Sequence, residues 1–130
     1  MQRRAIAVLV ALLGLTWSGQ IMGKGRDADG SRMQAREQKL GASVSDRLAP
    51  PADAVDWRYV RVTKDQDLEI RLTTKGDRAA RVQVTNAVGK PIMEGATQKG
   101  QLTLTRRVDP GLYYFAVSAT APVEYSISVR

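Results

Sequence analysis

From residue 57 onward, apolar and polar residues alternate in short runs. "LEIRLTT" (68–74) is the cleanest: Leu68, Ile70 and Leu72 fall on one side, Glu69 and Arg71 on the other. "WRYVRVT" (57–63) sets Val60 and Val62, with Arg58, against Trp57, Tyr59 and Arg61. "ARVQVTN" (80–86) pairs Val82 and Val84 against Arg81, Gln83 and Thr85, and "QLTLTRR" (101–107) sets Leu102 and Leu104 against Thr103 and Thr105. "KPIMEG" (90–95) is a proline-limited strand suited to an edge. In "DPGLYYFAVSA" (109–119) a Pro-Gly turn precedes Tyr113, Phe115 and Val117 on one face and Tyr114 and Ala116 on the other. "VEYSISVR" (123–130) closes the series with Tyr125, Ile127 and Val129. A period of two means strands, and one wet face per strand means antiparallel sheet. Two such sheets cover each other's apolar faces, so the pattern predicts an all-β fold, a small antiparallel β-sandwich over 53–130.

The rings of Tyr113 and Phe115 belong to its core. A large ring buries about 150–250 Å², and this domain has no cysteine with which to staple itself. The opposite strand face carries Trp57, Tyr59 and Tyr114. With the adjacent basic pair Arg106 and Arg107 they form the candidate binding surface.

Upstream the material changes. Arg3 and Arg4 precede the apolar run "AIAVLVALLGL" (5–15), which "TWSGQ" then breaks. A charged start, a short apolar centre and a small-residue end are the pattern of a secretory signal peptide. The apolar run is shorter than the roughly 20 residues that span a bilayer, so residues 1–23 are expected to be a cleaved signal, cut after about 18 or 23. The expected address is export, to the periplasm, the outer membrane or the cell surface, with no transmembrane span left after processing. Residues 24–52 are polar, Gly-rich and poor in aromatics, which predicts a mostly disordered arm. A short helix over 31–40, capped by Ser31, is the one element the pattern offers there, and Pro50-Pro51 ends the region.

Charge and chemistry narrow the function. The formal net charge is +7, but opposite charges are interleaved, and Arg3-Arg4 and Arg106-Arg107 are the only adjacent basic pairs. Nucleic-acid binders concentrate their positive charge, so no nucleic acid is expected. Weak attraction to acidic polysaccharide or anionic envelope lipid suits such a surface better. With no His and no Cys, imidazole triads, thiolate nucleophiles and the usual zinc sites are excluded. The glycines of "GKGRDADG" (23–30) follow no strand and form no phosphate loop. The expectation is a non-enzyme without cofactor or metal, a structural or protein-binding module with an envelope partner. The alternative is a polysaccharide- or matrix-binding domain that uses its exposed aromatic and Arg residues.

Taken in order, "DWRYVRVTKDQDLEIRLTT", "VTNAVGKPI", "DPGLYYFAVSA" and "VEYSISV" resemble the bacterial pre-peptidase C-terminal domain over residues 53–130. The resemblance implies a jelly-roll-like sandwich, an accessory module for secretion, attachment or substrate binding, here standing without a peptidase before it. Some relatives bind calcium through clustered carboxylates. Asp65, Asp67, Glu69 and Asp77 do not reproduce such a cluster, since calcium takes six to eight oxygens from a curled loop.

Overall fold

The computed structural model describes residues 30–130. The export signal, its cleavage points and the first residues of the arm lie outside them. Nine strands follow in order: β1 (Arg36–Glu37), β2 (Ser43–Leu48), β3 (Val55–Val62), β4 (Gln66–Thr74), β5 (Arg81–Thr85), β6 (Pro91–Ala96), β7 (Gln101–Val108), β8 (Gly111–Ser118) and β9 (Val123–Val129). They form two sheets, β1-β3-β8-β5-β6 and β2-β9-β4-β7. Every pairing is antiparallel except β1 with β3. The result is an all-β sandwich.

The seven alternating segments of the sequence are strands β3 to β9, with their apolar faces turned inward. Val60, Leu68, Ile70, Val84, Phe115, Val117, Ile127 and Val129 are all fully buried between the sheets, while Thr103 and Thr105 face solvent. β6 is an edge strand, as its proline requires. The Asp109-Pro110 turn carries the chain from β7 in one sheet to β8 in the other, and the Tyr113 hydroxyl donates to the Asp109 carbonyl at 2.6 Å.

The arm departs from expectation. The sandwich begins at Arg36 rather than at residue 53, because β1 and β2 are strands of it. β2 pairs with β9 over its whole length, from Ser43 opposite Ser128 to Leu48 opposite Val123. Leu48 is buried, and Asp46 interrupts its strand's apolar alternation because it serves an inward-facing arginine. No helix spans 31–40. Arg32–Gln34 form a single 3-10 turn and Ser31 bonds the Gln34 side chain instead of capping it. With Met33 97% exposed, this stretch has no apolar stripe to bury as a helix. The segment finds backbone partners in both sheets instead: the Gln38 backbone N–H donates to the Tyr59 carbonyl, and its buried side chain donates to the carbonyls of Ala42 and Ile127.

Candidate functional site

β3 and β8 lie side by side in the five-stranded sheet, so their outward residues meet as cross-strand pairs. Trp57 stands opposite Ala116, and Tyr59 opposite Tyr114. All three rings are half-buried. The Tyr59 and Tyr114 ring centroids are 5.7 Å apart with planes inclined at 42°. Of the five candidate surface residues, these three share one face.

Arg106 and Arg107 do not join them. Adjacent residues on a strand point to opposite faces, and β7 belongs to the other sheet. Arg106 pairs across from the inward Leu68 and donates to the Ile92 carbonyl at 2.9 Å, tying the β7 edge to the β6 edge. Arg107 points outward to Asp67, 3.7 Å away.

Arg61 shares the outward face of β3 with Trp57 and Tyr59, while the arginine that lies over the Tyr114 ring is Arg32, which the sequence pattern placed in the arm. Its guanidinium lies 4.2 Å from the centre of the Tyr114 ring, a cation–π contact. The same group donates to the carbonyls of Ala87 at 2.6 Å and Asn86 at 3.3 Å. These partners are 54 and 55 residues away in sequence, so no local motif announces them.

A polar cluster lies behind this face, between the sheets. Arg58, inward-facing on β3, holds Asp46 of β2 at 2.8 Å, and Arg36 approaches the same carboxylate at 3.6 Å. Tyr125 of β9 donates its hydroxyl to Asp56 at 2.5 Å. Burial works against the charge on Arg58, but its bonds to Tyr125 and Asp46 outweigh that, and its pKa rises. For Tyr125, burial comes first and the Asp56 carboxylate adds to it, so the phenol holds its proton far above the ordinary tyrosine value. The unfolded chain releases that proton near pH 10. A raised folded pKa therefore gives stability that is complete below about pH 10 and declines as the pH rises beyond it. Alkaline unfolding is expected to coincide with the last phenolate absorbance step, and Tyr125→Phe to separate the two.

Asp56 is fully buried and Asp46 is held by Arg58 and Arg36, so the cluster serves to join the sheets. The carboxylates weighed for calcium are spread out. Glu69 accepts from Arg130 at 2.6 Å and from Arg71 at 3.3 Å, and the Arg130 bond holds its pKa below the usual carboxylate range. Asp67 faces Arg107, and Asp77 lies beside Gly100, at the opposite end of β4. Among the described residues, no three His, Cys, Asp or Glu side chains gather into a metal-holding group.

Two solved structures share the architecture. One is the pre-peptidase C-terminal domain of collagenase from Bacillus anthracis, at 16% identity and a TM-score of 0.67, covering 74% of this chain and 94% of that one. The other is a surface-associated copper-binding protein important in copper acquisition by Methylomicrobium album BG8, at 12% identity and a TM-score of 0.58, covering 74% of this chain and 98% of that one. The chain thus has the sandwich fold of the pre-peptidase C-terminal domain. No protein-family model and no curated protein matches its sequence.

Proposed function

We propose that the protein is an exported, non-catalytic module of the bacterial cell envelope that binds a protein partner through the outer face of its five-stranded sheet. Such a module suits a surface assembly for motility, secretion or adhesion. The observation that carries this reading is the gathering of Trp57, Tyr59 and Tyr114 on one rigid face, with Arg32 laid across it. Trp, Tyr and Arg are the residue types that dominate binding energy at protein interfaces. The pre-peptidase C-terminal domain is itself non-catalytic. Copper binding by the Methylomicrobium protein lends this reading no support, since this chain has neither His nor Cys and keeps only its four Met as soft ligands.

Sugar binding by the same face is the second reading, favoured by the contiguity of the three aromatics. Two features weigh against it: the 42° inclination of Tyr59 to Tyr114 makes no flat platform, and Arg32 already covers the Tyr114 ring.

Replacing Trp57, Tyr59 and Tyr114 together by Ala in the full chain is expected to abolish rescue of a deletion strain. Circular dichroism and a cooperative urea transition should show that the variant still folds. Replacing Arg106 and Arg107 by Gln should leave rescue intact. Undiminished rescue by the folded aromatic variant would sink the proposal, and loss of retention on a polysaccharide matrix would favour the sugar reading.

A further inference from the structure

Arg32 fills a site that the sheet builds without it. Asn86 to Lys90 form the turn between β5 and β6. The Asn86 side-chain oxygen accepts from the backbone N–H groups of Val88 at 3.1 Å and Lys90 at 2.9 Å. The Asn86 N–H donates to the Lys90 carbonyl at 2.9 Å, so the turn closes on itself and holds the Asn86 and Ala87 carbonyls in place. Just before them, Thr85 stands opposite Tyr114. Thr85 points outward yet is only 4% exposed, and its hydroxyl oxygen has no hydrogen-bond partner. Two carbonyls, a hydroxyl and the face of a phenol ring make a cradle of acceptors. It suits a guanidinium, which carries five N–H donors and stacks on aromatic faces.

Arg32 uses this cradle incompletely. Among the described residues only its Nη2 is bonded, to both carbonyls, and its buried Nε has no partner. An unpaired buried donor and an unpaired buried acceptor in one cradle are costly. The turn that carries Arg32 adds little hold of its own. Arg32–Gln34 contribute no buried residue, and Met33 is almost fully exposed. The bonds between Ser31 and Gln34, and from Ala35 to Arg32, stay within the turn. Among the described residues, Arg32 thus makes the only hydrogen bonds from residues 31–35 to the sandwich. A guanidinium arriving on another chain is free of the arm's path and can meet Thr85 as well as the carbonyls.

We propose that the cradle of Thr85, Asn86, Ala87 and Tyr114 receives an arginine side chain of the protein partner, and that Arg32 occupies it in cis until that arginine displaces it. This rests on the reading of the outer face as the partner's docking surface, and it makes the arm a cover for that face. A tethered side chain competes as a ligand at its own effective concentration, millimolar for a short flexible link. The cover therefore sets a threshold that a stray arginine does not pass and a larger interface does.

The test uses the full chain, its Arg32→Ala variant, and the hexapeptide Gly-Ser-Arg-Met-Gln-Ala, which copies residues 30–35. A second peptide carries citrulline in place of arginine, the same shape without the charge. Nitrogen-15 NMR spectra should show that Arg32→Ala keeps the folded sandwich. Adding the arginine peptide to this variant should shift the amides of 85–88 and 114, and the citrulline peptide should not. Wild type should bind the arginine peptide about tenfold more weakly, because Arg32 competes for the cradle. Tyr114→Leu added to Arg32→Ala should weaken binding, whereas Arg106→Gln with Arg107→Gln should leave it unchanged. No binding to Arg32→Ala, equal binding by wild type, equal binding of the citrulline peptide, or binding that survives Tyr114→Leu would each overturn the proposal. Rescue of the deletion strain reports on the aromatic face and peptide binding on the cradle, so the failure of either reading shows by itself.

Discussion

Phe115→Ala is expected to lower the unfolding free energy by about 3–5 kcal/mol, the range for truncating a buried aromatic. Phe115 is 0% exposed on β8, where Val60, Val84 and Ile127 belong to the same core cluster. A small domain has roughly 5–15 kcal/mol in total, so this one change removes a large share of it. Thr103→Ala, on the solvent face of β7, should alter stability by less than about 0.5 kcal/mol. Urea midpoints of the two variants measure both effects, and equal midpoints would contradict the inward placement of Phe115.

The second large effect falls on the polar cluster. Arg58→Met should cost about 3 kcal/mol, although methionine fills much of the arginine stem. Breaking a buried pair from one side leaves the partner charge uncompensated. Here the stranded groups are Asp46, which keeps the longer contact to the more exposed Arg36 and a bond from the Arg47 backbone N–H, and the Asp56–Tyr125 pair beside it. A urea midpoint within error of wild type would show that the cluster contributes no net stability.

Residue by residue, the sequence is most informative where burial and alternation coincide. Leu68, Ile70 and Leu72 declare both their strand and its inner face, because each is flanked by residues that must face water. The outward set Trp57, Tyr59 and Tyr114 follows from the same periodicity, as does the inward direction of Arg58. β2 is hidden because one of its inward positions is Asp46. A carboxylate in a core position looks like linker until its partner is known, and that partner is Arg58, twelve residues on. β1 is two residues long and is specified by the edge it lies against. Arg32 is invisible for the same reason, since its carbonyl partners come from the β5–β6 turn. Arg106 and Arg107 show the opposite failing: as sequence neighbours they look like one basic site, yet the strand pleat that the pattern itself predicts sends them apart.

The two ends of the described chain sit at opposite ends of the sandwich. Gly30 lies beside the Pro51–Val55 segment, and Arg130 lies beside Glu69 near the start of β4. A pull between them draws β9 along its own length. β9 is bonded on both flanks, to β2 and to β4, and antiparallel ladder bonds run perpendicular to their strands. Such a load shears two ladders together instead of opening one bond at a time. One of the two strands that the arm contributes, β2, is thus half of what resists extension, and a sandwich lacking it would yield by peeling β9 from one side.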